Sequence, residues 1–174
     1  MDPATKNRYI LYRLRDPTDR IMLQRLSADG LSKDNSQPVE LLRVGPNDGG
    51  VTEAPSMILS GDTYVLFYST HAWNSLDYTI SVATSKKLDG GFQRRDKPLL
   101  DTESMQKLGG GKQVSPGGAT VLAEGTKGED GGEVFRMVFH AAGSKDDVED
   151  RKLYVGGVQV KRGDVTLADK GWQG

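Results

Sequence analysis

Residues 56–68 read Ser56-Met57-Ile58-Leu59-Ser60-Gly61-Asp62-Thr63-Tyr64-Val65-Leu66-Phe67-Tyr68. Two short apolar runs, 56–59 and 64–68, flank a Ser-Gly-Asp step with the composition of a tight hairpin turn. The next run, 78–83, alternates between its two faces at period two, the mark of a strand with one face buried. Working outward, the same kind of run recurs at 9–14, 21–26, 119–122, 134–140, 153–160 and 165–167. No window of a dozen residues carries a period of 3.6, so the chain reads as all-β. Strands return about every 8–15 residues with turn signals between them, which allows a sandwich, a barrel or a propeller.

Composition agrees. Glycine occurs 22 times in 174 residues, well above the usual share of about 7%. It falls in small clusters (49–50, 90–91, 109–111, 117–118, 131–132, 156–157) that punctuate short elements. Basic and acidic residues number 23 and 24 and are spread along the chain. With no basic stripe to neutralise phosphates, nucleic acid is not an expected partner. Nor is a membrane, since no apolar run approaches the roughly 20 residues of a bilayer span. There is no cysteine, which excludes disulfides, thiolate metal sites and cysteine nucleophiles. The first residues, MDPATKNRYILYRLRD, lack the basic start, apolar block and small-residue cleavage site of a signal peptide.

A repeat favours the propeller. RYILYRL (8–14), TYVLFYS (63–69) and EVFRMVFHA (133–141) share a turn–aromatic–aliphatic–aromatic pattern. Each precedes a strand that ends in a polar-glycine turn: IMLQRLSADG (21–30), YTISVATSKKLDG (78–90) and KLYVGGVQVKRG (152–163). At roughly 40–50 residues per blade the chain would hold three to four blades.

The succession Val51-Thr52-Glu53-Ala54-Pro55-Ser56, then 64–69, then 78–85, resembles glycoside hydrolase family 43. These are five-bladed β-propellers that include arabinanases, arabinofuranosidases and xylosidases. In that family a Glu-(Ala/Gly)-Pro segment opens a blade, followed by a strand ending aromatic-Tyr-Ser and a Tyr-x-Ile-x-Val-Ala-x-Ser strand. A Gly-Phe turn comes next and is matched by Leu88-Asp89-Gly90-Gly91-Phe92. Ser115-Pro116-Gly117-Gly118-Ala119 resembles the family's Pro-Gly segment, and Val138-Phe139-His140-Ala141 its aromatic-His strand. Residues 151–155 resemble a strand of the closing blade, and 21–30 the strand and turn before the acid. The resemblance spans about Asp2 to Val160. It implies one domain over residues 1–174, a partial propeller lacking the N-terminal blades, in which Glu53 is the general acid.

Inverting glycoside hydrolysis needs two carboxyl groups, one to protonate the leaving oxygen and one to activate water, about 6.5–9.5 Å apart. By the resemblance the base is an Asp in the first blade, and a second Asp tunes the acid; only 52 residues precede Glu53, and they offer no base. Asp2 stands so close to Tyr9 that it matches a second Asp in the turn leading into the strand better than the tuning residue. The chain alone is therefore expected to be inactive or nearly so.

The resemblance implies further contacts. Trp73 is suited to stacking on a sugar face, and His71 lies beside it on the side where the family binds sugar. Arg151 could reach a substrate hydroxyl or serve as a structural salt-bridge partner. His140 would point into the central channel, where the family often holds an ion through water. No cofactor is required, although a structural calcium in that channel is compatible with the family. The expected partner is plant cell-wall polysaccharide or oligosaccharide, containing arabinose or xylose, and the full-length family member is expected to be secreted. A non-catalytic carbohydrate-binding propeller is the competing reading. Gly109-Gly110-Gly111-Lys112 lacks the spacing of a phosphate loop, and 145–150 reads as a solvated charged loop.

Overall fold

The computed structural model describes residues 1–109, 111–122, 125–128 and 131–168. Gly110, the middle of one glycine cluster, lies outside the described residues, as does the end of the expected domain from 169 to 174. Three antiparallel sheets account for the strands. The first is β1 (Tyr9–Leu14), β2 (Arg20–Arg25) and β3 (Val39–Arg43), paired in that order. The second is β4 (Thr52–Ser60), β5 (Thr63–Thr70), β6 (Thr79–Ser85) and β7 (Gln93–Arg94). The third runs from β8 (Val114–Val121) through β10 (Glu133–Ser144) and β11 (Asp147–Lys161) to β12 (Asp164–Leu167). A short β9 (Thr126–Lys127) also pairs with β10.

β4, the first strand of the second sheet, lies beside both β1 and β8, the first strands of the other two. Each sheet then proceeds away from that line strand by strand, as blades do around a propeller axis. The expected all-β partial propeller is thus found with three blades. Among the described residues no helix is long and apolar enough to cross a membrane.

The middle sheet is packed on both faces. All eight residues of β5 are buried, and the period of two sends them alternately to opposite sides. Tyr64, Leu66 and Tyr68 join Ile21, Leu23, Leu41 and Leu42 of the first sheet. Val65 and Phe67 join Val121, Phe135, Met137, Phe139 and Val158 of the third. This explains why 64–68 is a continuous apolar run while 78–83 alternates.

Two local readings are corrected. A short helix, α1 (Thr102–Gly109), occurs where none was expected; at eight residues it is too short to show a period. Asp101 caps it, accepting the Ser104 N–H at 2.8 Å, and Met105 anchors it in the core. The charged stretch 145–150 is not a loop alone, because β10 and β11 form a tight hairpin and Asp147–Asp150 already belong to β11.

Phe67→Ala should lower unfolding stability in urea by about 3–5 kcal/mol, since its ring is wholly enclosed between two sheets. Leu153→Ala, at a side chain 67% exposed, should change it by no more than about 0.5 kcal/mol.

Candidate active site

Glu53 stands near the start of β4, and its position follows from a defect in the strand pairing. Glu53 pairs with Ser69 and Ser56 with Phe67, so three steps on β4 are matched by two on β5. The extra residue is a β-bulge, which bends the strand and re-aims its side chains. Ala54 takes a φ of 50° there, in the left-handed region that non-glycine residues seldom occupy. Pro55 adds no N–H donor, which an innermost strand tolerates.

Both oxygens of the Glu53 carboxyl are engaged. Oε1 accepts a hydrogen bond from the Tyr78 hydroxyl at 3.0 Å. Oε2 is paired with the Arg13 guanidinium, reaching across from β1. The same guanidinium pairs through its other terminal nitrogen with Asp19, which also accepts the Thr52 N–H at 3.3 Å. Asp19 is 7% exposed. This second carboxylate therefore belongs to the wall that holds Glu53 rather than to an open face where a water could be activated.

The third sheet supplies the other side. The Tyr78 ring, 2% exposed, stacks on His140 with centroids 6.0 Å apart and an interplanar angle of 26°. Arg151 lies over the same ring at 5.3 Å. Its Nε donates to His140 Nδ1, and its terminal nitrogens donate to the Trp73, Ser115 and Val148 carbonyls, the His140 carbonyl and Ser115 Oγ. Burial holds the Tyr78 phenol up to about 12; a bond with Ser69 opposes this and the Glu53 charge adds to it. The phenol is thus a fixed donor at neutral pH. Burial, and next the Arg151 charge, push the His140 imidazole below its usual value. Because Nδ1 accepts from Arg151, the neutral ring carries its proton on Nε2.

β8 is bulged twice to receive these groups. Its register against β10 shifts on either side of the Gly117–His140 pair. Ser115 (φ 59°) and Gly118 (φ 66°) absorb the turns. A Cβ on Gly117 would sit 1.9 Å from the Tyr78 ring, and one on Gly118 2.3 Å from His140 Nε2.

Of the residues singled out in sequence, Glu53, His140 and Arg151 are brought into one cluster. Trp73 borders it, 46% exposed, with its carbonyl held by Arg151. His71 lies elsewhere: its ring packs over Gly49, its Nδ1 is 3.2 Å from Thr70 Oγ1, and it lines a groove with Asp48, Tyr68 and Arg94. Arg151 spends its donors on protein acceptors rather than on an open cleft. Asp2 is not near Glu53: its carboxylate closes the turn to Thr5 and accepts from the Tyr64 hydroxyl at 3.0 Å. Tyr64 pairs with Leu59, six residues along β4 from Glu53, on the order of 20 Å away. Sequence reasoning missed Arg13, Asp19 and Tyr78. Tyr78 had been legible only as the start of a strand, with Gly117 as the one signal that a large group lay opposite.

Glycosyl hydrolases family 43 matches residues 3–172. The chain belongs to this family. No curated protein matches it in sequence. Among solved structures, it is similar to an endo-1,4-beta-xylanase from Bacteroides thetaiotaomicron, at 21% identity and a TM-score of 0.76. That match covers 95% of this chain and 55% of the xylanase. An alpha-L-arabinofuranosidase from Lactobacillus brevis aligns at 20% identity and a TM-score of 0.70, covering 94% of this chain and 52% of that one. An exo-1,5-alpha-L-arabinanase from a bovine ruminal metagenomic library aligns at 18% and 0.70, covering 97% and 54%. The chain thus spans about half the length of these structures, and the likeness establishes their fold.

Direct side-chain ligation of a calcium ion is a separate matter from the water-held ion that the resemblance implies, on which the described residues do not bear. Calcium takes six to eight oxygens, largely carboxylate and carbonyl. No group of three or more His, Asp or Glu residues gathers to hold a metal among the described residues. His140 Nδ1, moreover, is committed to Arg151.

The lowered value for His140 has a consequence for stability. A base held neutral in the fold contributes stability that is fully present above its unfolded value, about 6.5, and is lost as pH falls through the folded value. In an NMR titration the His140 ring should protonate below pH 6.5, and Arg151→Met should move that midpoint upward. A wild-type midpoint at or above 6.5 would contradict the environment described.

Proposed function

We propose that this chain carries the acid side of a glycoside hydrolase site, with Glu53 as general acid in inverting hydrolysis of arabinose- or xylose-containing plant polysaccharide. The observation that carries the reading is the placement of Glu53 at a bulged strand head, fixed from two sheets and joined through Tyr78 to Arg151, which holds the carbonyl of exposed Trp73. Family membership and the nature of the neighbouring folds support a sugar as the ligand. Trp73 offers an aromatic face for a sugar ring. Each carboxylate oxygen has a second lone pair besides the one used by Arg13 or Tyr78, so a leaving oxygen can approach Glu53 without dismantling its support. Secretion of the full-length protein belongs to the same proposal.

Water activation is the missing half. Asp19 is the second carboxylate tied into the cluster, and it is buried behind Glu53 against Thr52. On this reading the chain alone binds sugar and turns over little or nothing, and the base comes from outside the described residues. A second reading, a carbohydrate-binding propeller without chemistry, is favoured by Arg13, which engages Glu53 as an acceptor.

Hydrolysis of aryl-arabinofuranoside, aryl-xyloside and linear arabinan, with Glu53→Gln beside the wild type, tests the first reading. Weak turnover that vanishes in Glu53→Gln supports the acid. Sugar binding by calorimetry without turnover in either protein fits a fragment or relic as well as a binding module, and turnover unchanged in Glu53→Gln removes Glu53 from the reaction.

A further inference from the structure

Tyr78 packs against both His140 and Arg151 of the third sheet and also reaches Glu53. It precedes β6 and is buried, so its ring has no freedom to swing. His140 stacks on the ring, Arg151 lies over it, and the Gly117 backbone leaves room where any Cβ would overlap its edge. Gly117 is not among the positive-φ glycines; the lack of a side chain there answers the space Tyr78 needs, not a backbone requirement. Arg151 is held in turn by carbonyls from the 73–75 loop side and from Ser115. Ser115 Oγ donates to the Ser75 carbonyl at 2.7 Å, which fastens the segment leading into Tyr78 to β8.

From this we infer that Tyr78 is the positioning residue of Glu53: clamped by Arg151 and His140 over Gly117, its hydroxyl fixes Oε1 and so sets where Oε2 and the free lone pairs point. The inference rests on the reading of Glu53 as the acid, and goes beyond it by assigning the third sheet a role in catalysis through one phenol. Without that hydrogen bond Glu53 is held by Arg13 alone and can pivot about a single contact. A carboxyl misplaced by about 1 Å can cost on the order of 100-fold in rate.

Two measurements test it. The first needs no turnover. Tyrosine labelled with carbon-13 at Cζ is followed by NMR from pH 8 to 13 in the wild type and Glu53→Gln, with Tyr78→Phe assigning the signal. Tyr78 should remain un-ionised up to about pH 11 in the wild type. Its ionisation should move to lower pH in Glu53→Gln, because the neighbouring negative charge is gone. Identical Tyr78 titration in both proteins would overturn the inference.

The second applies where turnover is measurable. Tyr78→Phe, which keeps the ring and its packing, should lower kcat by about 10–100-fold with KM changed less than about threefold. Gly117→Ala, which displaces the ring without touching Glu53, should do the same. If Glu53→Gln abolishes turnover while Tyr78→Phe keeps the wild-type kcat and pH profile, the positioning role fails and the acid stands. If Glu53→Gln keeps turnover, the acid reading fails, and the NMR titration alone decides whether Tyr78 holds Glu53.

Discussion

A carboxylate placed where sheets meet has to be answered on each oxygen, and in this chain the two answers come from different directions. Arg13 crosses from the first sheet to Oε2, and Tyr78 reaches Oε1 while its ring is gripped by the third sheet. The packing of the three blades and the geometry of the site are therefore one problem. Arg13 joins Glu53 to Asp19, whose carboxylate accepts the Thr52 N–H and whose carbonyl accepts the Val44 N–H at 2.8 Å. Removing the guanidinium would leave two carboxylates facing each other in a poorly solvated wall. Breaking such a pair costs more than the pair itself contributes.

The inner strands solve the aiming problem in the same way. β4 and β8 both carry a proline beside a residue with positive φ, Ala54-Pro55 in one and Ser115-Pro116 in the other. Both show shifted register at that point. A regular strand would turn alternate side chains toward the neighbouring blade and away from it. The bulges break that alternation at the level of Glu53 and His140, so polar groups face the meeting line while the rest of each strand continues into core. Strained residues gathered around a functional group in this way are what pre-organisation requires. The sheets are also stitched at this level by Gly118 N–H to Ser69 Oγ at 2.9 Å and, lower down, Val121 N–H to Ser56 Oγ at 3.0 Å.

Much of the fold was legible because hydrophobic period two and turn glycines are local signals. The hairpin at 60–63 and the strands on both sides of it appear where alternation and composition placed them. α1 was not legible, since eight residues capped by one aspartate carry too little pattern. In the site, Glu53, His140 and Arg151 were reachable through family-like motifs, each lying inside a recognisable segment. Arg13, Asp19 and Tyr78 were not, because their roles rest on contacts distant in sequence: Arg13 and Glu53 are 40 residues apart, and Tyr78 and Glu53 are 25. His71 shows a different relation. It stands two residues before Trp73, yet its backbone takes a positive φ of 67° and its ring packs over Gly49, in a different groove. Neighbourhood along a loop is no guide to direction when the backbone reverses between the two residues.

We propose the meeting line of the three sheets as a sugar site centred on Glu53. A crystal structure of the Glu53→Gln variant soaked with a xylo- or arabino-oligosaccharide tests it most directly. A sugar ring should lie against Trp73 with an oxygen within hydrogen-bond distance of residue 53, and the Tyr78 hydroxyl should still be in contact with that side chain. A sugar bound elsewhere, or an empty cleft with residue 53 turned away from Tyr78, would contradict it.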